Sequence, residues 1–404
     1  MVQLFTIILN RNKFAMKFID LDAQQKRIHP QIDAAIKRVL AHGKYIMGPE
    51  VAELEDKLAK FAGVKHCIGV ASGTDALLMA LMAYSIGPGD AVFTTPFTFA
   101  ATGEVISLLG ATPVFVDIEP RSFNIDPQKL EQTIVDFKKR SNNNAQRLTP
   151  KGIIPVDLFG LPSDYDEINA IARKHDLFVV EDAAQGFGGE YKGRMAGSLA
   201  DIATTSFFPA KPLGCYGDGG AIFTDDDTLA DKLCSIRVHG QGKDKYDNVR
   251  VGLNGRLDTI QAAVLLSKLE VFPDEIRARQ GVAETYRRLL EGTPEIITPV
   301  VPIGYKSAWA QYSVLTERRD ELQKRLHESG IPTAIYYPKP LHQQSAFAGL
   351  GYRTGDFPVS EDVAGRILSL PMHPYLMSED QGKIVEEIIK VLSGGRRISE
   401  AGFK

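Results

Sequence analysis

Apolar residues recur at Ile28, Ile32, Ala35, Ile36 and Val39 within residues 24–40, a spacing that predicts an amphipathic helix. The turn Gly43-Lys44-Tyr45-Ile46-Met47-Gly48-Pro49 follows, and then a second amphipathic helix over residues 51–61. Beyond it the pattern changes to short apolar runs at 67–70, 92–95, 113–117, 152–156, 178–181, 202–206 and 221–224, which predict buried strands. Helical patterns such as residues 76–81 fall between them, so a largely parallel α/β sheet is expected. Residues 138–147 are polar and patternless and read as a surface insertion. Residues 237–254 are polar, Gly-rich and weakly periodic, as functional or mobile segments tend to be. Residues 261–272 read as a helix leading toward a smaller domain, whose last helix opens on the capping-box pattern Ser378-Glu379-Asp380-Gln381.

This pattern divides the chain into an extra N-terminal arm (1–15), a large domain (16–275), a small C-terminal α+β domain (276–392) and a tail (393–404). The arm's apolar run, Leu4 to Leu9, is too short to span a bilayer, and its flanks lack the basic and small-residue marks of a signal peptide. The 404 residues are 44% hydrophobic and 24% charged, enough for a large core. A formal net charge of −3 gives no basic footprint, so nucleic acid and membrane partners are not expected. Three scattered cysteines, Cys67, Cys215 and Cys234, suggest neither a disulfide framework nor a metal site, and a cytoplasmic setting is the simplest.

Candidate chemistry centres on the stretch from Thr204 to Gly220, in which Lys211 stands in a Pro- and Gly-rich loop between two strands. A lysine desolvated there is a weakened ammonium, able to attack carbonyls or to carry pyridoxal 5′-phosphate (PLP) as a Schiff base. Three partners support it. Ala71-Ser72-Gly73-Thr74-Asp75 joins a strand to a helix, and the helix's free N–H groups suit a phosphate; an ordinary cap by Ser72 or Thr74 fits equally. Asp182 closes a strand at the edge where α/β sheets bind ligands, and could keep a pyridine nitrogen protonated. Phe97-Thr98-Phe99 offers an aromatic to stack on a flat ring, or plain core packing.

The phosphate loop, the aromatic, Val180-Glu181-Asp182-Ala183-Ala184-Gln185, the lysine stretch and Gly252-Leu253-Asn254-Gly255-Arg256-Leu257-Asp258 occur in a telling order. With these motifs the chain resembles the nucleotide-sugar aminotransferases of the DegT/DnrJ/EryC/StrS group over about residues 18–392. The resemblance implies a type I PLP fold, like that of aspartate aminotransferase, and a homodimer with shared sites. It implies that Lys211 is the catalytic residue, with Asp182, Gln185 and Phe99 at the ring. Gly73, Thr74 and Ser206 would bind the phosphate, with Asn254 added from a second subunit. L-glutamate would donate the amine to a UDP-linked keto sugar, first a 3-keto-N-acetylglucosaminuronate, for surface polysaccharide such as lipopolysaccharide O-antigen. Arg256 would then hold the sugar carboxylate, unless it forms a structural ion pair with Asp258 or another acid, while Tyr337 and His342 would contact sugar or diphosphate. A 4-keto-hexose acceptor, a PLP sugar dehydratase and a non-catalytic homologue are the alternatives. Dehydratases carry histidine where Lys211 stands, and the GxGxxG and P-loop patterns of nucleotide modules are absent.

Overall fold

The computed structural model describes residues 16–142, 148–244 and 246–393; the expected arm, and the expected tail beyond Ser393, lie outside the described residues. The first helix, α1 (Leu21–His42), is capped by Asp20, whose carboxylate accepts Ala23 N–H at 3.0 Å. It is longer than its apolar spacing predicts and is kinked at Ile28, where Pro30 interrupts the helical ladder. Helix α2 (Pro49–Ala62) starts on proline and stops at Gly63, whose φ of 79° is a left-handed conformation open to glycine.

Strand and helix then alternate through β1 (His66–Val70), α3 (Gly73–Ala83), β2 (Asp90–Thr94), α4 (Ala100–Leu108) and β3 (Thr112–Phe115). They continue through α5 (Pro127–Asn142), β4 (Thr149–Ile154), α6 (Tyr165–His175) and β5 (Phe178–Asp182). The short strands β6 (Glu190–Tyr191) and β7 (Arg194–Met195) precede β8 (Ile202–Ser206), β9 (Gly220–Thr224), α7 (Asp227–Ile236) and α8 (Thr259–Leu289). Seven strands form one sheet in the order β1-β9-β8-β5-β4-β2-β3. From β3 to β8 neighbours run parallel, whereas β9 is antiparallel to both β8 and β1. The crossovers bring the carboxyl ends of the parallel strands to one edge, and the candidate residues of β5 and β8 with them.

Both faces of this sheet are covered, which is why its strands read as continuous apolar runs. Ile68, Val92, Val180 and Ile222 pack against α3, α4 and α7 on one face, while Phe93, Ile153 and Val179 meet α5 and α6 on the other. Burying a side chain such as Phe93, which has no exposed surface, contributes about 2 kcal/mol.

A second core forms around β11 (Tyr312–Leu315), α9 (Arg319–Glu328), β12 (Ile367–Leu370) and α11 (Ser378–Leu392), after the short strand β10 (Tyr305–Lys306), while α10 (Pro358–Arg366) packs with Phe97, Val156 and Leu315 in a separate cluster. β11 and β12 pair antiparallel, and β10 adds to β6 of the first body. Val282 and Tyr286 of α8 belong to this second core, whereas Ala262 and Phe272 of the same helix lie in the first. The boundary expected at residue 276 therefore falls inside an unbroken helix.

Two local expectations are corrected. The basic stretch taken as an insertion is helical as far as Asn142, because Lys139 and Arg140 suit the negative end of α5; residues 143–147 lie outside the described residues. The last helix is not capped by Ser378, which is already its first helical residue behind Met377. Gln381 is spent elsewhere, donating from Nε2 to Val282 O at 2.8 Å.

Candidate active site

The loop between β8 and β9 is closed on itself. Phe207 N–H donates to Gly219 O, and Cys215 N–H to Phe207 O, each at 2.7 Å. Within this frame Lys211 N–H donates to Phe208 O at 2.9 Å, fixing the turn that presents the lysine. On the outer side Gln261 of α8 grips Tyr216 by both backbone groups, accepting its N–H at 2.8 Å and donating to its carbonyl at 3.3 Å. Lys211 is half-buried; burial lowers its pKa, and the charge of Asp182 opposes that shift. The amine is thus easier to deprotonate than a surface lysine, which suits a nucleophile.

Asp182, at the end of β5, is 4% exposed. Its Oδ2 accepts the Thr102 hydroxyl at 2.8 Å and its Oδ1 the Ala184 N–H at 3.2 Å. Burial still raises its pKa, against the pull of Thr102, Ala184 and Lys211. A dry carboxylate with so few donors favours a cation brought beside it. Thr102 was not singled out in the sequence, although a threonine on the apolar face of α4 is a signal of buried hydrogen bonding. Gln185 accepts Phe159 N–H on Oε1 at 2.8 Å and donates from Nε2 to the Tyr337 hydroxyl at 3.1 Å.

The N-terminus of α3 lies against the end of β8. A Cβ on Gly73 would come within 2.6 Å of the Ser206 Cβ, so only glycine permits this approach. Ser72 does cap the helix, accepting Asp75 N–H at 3.0 Å, so the cap and the anion-ready N–H groups coexist. Ser206 Oγ accepts Phe208 N–H at 3.2 Å, which leaves its own hydrogen to donate. These groups suit a phosphate, and Asp182 suits a protonated ring nitrogen.

Other expected residues divide. Phe99 is 56% exposed at the start of α4, with its ring 6.4 Å from that of Tyr337, while Phe97 is fully buried core. Asn254 is exposed, its backbone bridged to Val238. Arg256 bridges Val70, next to the Ala71 N–H that donates to Gly255 O at 3.0 Å, and so lies beside the phosphate loop. Its expected rival role as an ion-pair partner of Asp258 is not present among the described residues, and its buried Nε has no acceptor. His342 is corrected. It is 3% exposed, its Nε2 bonded to Glu361 Oε1 at 2.9 Å and its ring against Phe357, which makes it a structural core histidine. The expectation grouped it with Tyr337 as a sugar or diphosphate contact, but its 3₁₀ turn buries it.

Residues 26–389 match the DegT/DnrJ/EryC1/StrS aminotransferase family. The chain belongs to this family. It is 52% identical over 363 residues to the UDP-2-acetamido-2-deoxy-3-oxo-D-glucuronate aminotransferase of Pseudomonas aeruginosa, covering 89% of this chain and 96% of that one. The crystal structure of a DegT DnrJ EryC1 StrS aminotransferase from Brucella abortus superposes with a TM-score of 0.89 at 54% identity, covering 92% and 98% of the two chains. NtdA from Bacillus subtilis, solved with bound cofactor PMP, gives 0.82 at 30% identity, covering 93% of this chain and 83% of NtdA. The protein is therefore a PLP-dependent aminotransferase of the nucleotide-sugar type, with the large, mostly parallel sheet of that fold. When bound, PLP supplies an electrophilic carbon and a ring that accepts electrons. No helix among the described residues is long and apolar enough to cross a membrane, and no group of three metal-ligating side chains occurs among them.

Proposed function

We propose that the protein transfers the amino group of L-glutamate to a UDP-linked 3-keto-N-acetylglucosaminuronate, in the cytoplasm and as a homodimer. Arg256 carries this reading: a half-buried guanidinium beside the phosphate loop, with a buried Nε that no protein group satisfies. Its neighbour Arg237 also has an unpartnered buried Nε, but its terminal nitrogen is paired with Glu55 and donates to Gly69 O, whereas no such bond among the described residues holds Arg256. An unmatched guanidinium at a ligand edge suits the bidentate binding of a carboxylate, which a uronic acid has and a neutral hexose lacks. The Pseudomonas relative acts on such an acid.

Within this reading Lys211 would hold the cofactor, and its free amine would serve as the base and acid that takes a proton from, and returns it to, the substrate's reacting carbon. Asp182 holds the pyridinium proton. Gln185 and Phe99 border the ring, Tyr337 faces the sugar side, and Gly73, Thr74 and Ser206 cradle the phosphate. Tyr45, Ile46 and Met47, on the segment bridged to the start of α8, and Phe208 and Tyr216, on the loop that carries Lys211, are exposed apolar side chains suited to contact with a second copy. Asn254 of that copy would complete the phosphate site. His342 drops out of the substrate contacts, because its ring is already committed to Glu361.

The test runs the 3-keto uronate and a 4-keto hexose, each UDP-linked, in parallel with glutamate as donor. Amination of the uronate is expected, with Arg256→Ala raising its KM about tenfold or more, the scale of one charge-assisted contact. Amination of the hexose alone, with Arg256→Ala unaffected, would overturn the sugar assignment and leave the transaminase chemistry standing.

A further inference from the structure

Behind the ring-binding face of β5 lies a second acidic centre that the reaction does not use. Asp157 and Glu181 both have no exposed surface, and their carboxyl groups lie close enough for each to perturb the other's titration. Glu181 accepts Gly197 N–H on Oε1 at 2.6 Å and Leu199 N–H on Oε2 at 2.9 Å. Asp157 Oδ1 accepts Ser163 N–H at 3.0 Å and the Tyr165 hydroxyl at 2.9 Å. Three of the four oxygens therefore receive protein hydrogens, and the fourth, Asp157 Oδ2, receives none. Two carboxylates in contact cannot both be anions in a dry site, and the oxygen without a donor is the one that must carry the proton.

We propose that Asp157 is held as the neutral acid, donates from Oδ2 to Glu181, and in that form is a positioning residue for the cofactor-binding turn Asp182–Gln185. The connection to the turn is direct. Asp157 N–H donates to Asp182 O at 3.0 Å, and Asp182 N–H returns to Pro155 O at the same distance. The Asp157 side chain fills the space beside Gly186, where a Cβ would meet the Asp157 Cβ at 2.4 Å. Phe159, two residues on, donates to the Gln185 side chain. Segment 157–159 is thus the bed on which Asp182 and Gln185 rest. Loss of the shared proton would place two anions under it.

The surrounding charges agree. Burial pushes both carboxyls up, Glu181 to about 7 and Asp157 well above the usual carboxylate range. Tyr165 on α6 faces the pair and is itself held protonated by burial and by both acids. The charge of Asp182 also reaches Tyr165, and Arg194 on β7, half-exposed and close to Asp166, favours a single charge on Glu181. A neutral acid with one acceptor and one donor oxygen has the hydrogen-bonding pattern of an asparagine side chain.

The experiment uses the holoenzyme, so it does not depend on which sugar is the substrate. Infrared difference spectra near neutral pH are expected to show the carbonyl stretch of a buried protonated carboxyl group, lost in Asp157→Asn. Retention of PLP on dilution is expected to stay within about twofold of wild type in Asp157→Asn and to weaken about tenfold in Asp157→Ala, since only alanine leaves the Ser163 N–H and the Tyr165 hydroxyl without their acceptor and removes the hydrogen given to Glu181. Raising the pH should weaken PLP retention in the wild type and not in Asp157→Asn. Absence of the protonated band, or equal loss of PLP in the asparagine and alanine variants, would overturn the proposal. Should the alanine variant not fold, the band and the pH series of the asparagine variant decide alone.

Discussion

Gln185 Nε2 donates to the Tyr337 hydroxyl at 3.1 Å, and this bond joins the turn after β5 to the loop that follows α9. Gln185 also accepts from Phe159 N–H, so its amide is used at both ends. Tyr337→Phe removes one partner and should lower stability by about 1 kcal/mol, read as a small fall in Tm and a few-fold weaker hold on PLP. Gln185→Ala strands the buried Phe159 N–H as well and should cost more, about 2 kcal/mol. Equal effects of the two variants would contradict the bridging role.

The assignment of Lys211 has a direct chemical check. Lys211→Ala should lower turnover by about a thousandfold or more, because no other base stands in for proton transfer. Borohydride reduction of the holoenzyme followed by peptide mapping should put the label on Lys211. A label on Lys139 or Lys339 would refute the site.

Shared sites can be tested by mixing. Lys211→Ala and Asn254→Ala subunits, each inactive alone, should regain part of the wild-type activity when exchanged, since some hybrid dimers contain one intact site. Recovery at no mixing ratio, with exchange shown by mass spectrometry, would mean that Asn254 serves its own subunit.

Asp182 links cofactor binding to pH. Burial raises its folded pKa above the ordinary 3.8, so the native state prefers the proton, and its contribution to stability falls as pH rises through the folded value. The cofactor-free Asp182→Asn protein should therefore be more stable than wild type at neutral pH, an advantage that shrinks as the pH falls toward about 4. The same variant should bind PLP more weakly, because the ring's positive charge loses its partner. Urea midpoints across pH, with and without PLP, measure both effects.

His373 gives the opposite slope. Burial, aided by Arg279 and opposed by Asp20, lowers its pKa to about 4 in a side chain only 4% exposed. The neutral ring is favoured in the folded state, so stability is full above the ordinary 6.5 and is lost as pH falls from there toward 4. The loss amounts to roughly 3 kcal/mol at most and should disappear in His373→Gln, as followed by thermal melts at pH 7 and pH 4.

The sheet was legible because each strand is buried on both faces, and runs such as Phe178-Val179-Val180 have no alternation to mislead. That Lys211, Asp182 and Gly73 would come to one edge was legible because each follows an apolar run whose carboxyl end the parallel strands share. Partnerships across the chain were not. Thr102 reaches Asp182 over 80 positions, and Arg256 reaches the phosphate loop through a bridge to Val70; no local pattern encodes either. His342 misled for the same reason, since its acid, Glu361, lies 19 residues further on. Ser378 misled through its capping motif, because Gln381 found a better acceptor in α8.

At 31 residues and about 1.5 Å per residue, α8 is a shaft some 46 Å long that is anchored in both cores. A freely swinging hinge between the two bodies is incompatible with such a shaft. Any closure over a bound sugar must come from bending near Pro273 or from loops moving on a fixed frame. New sugar preferences can then arise by exchanging loop residues alone, with the distance between lysine, aspartate and phosphate cradle carried unchanged from one substrate to the next.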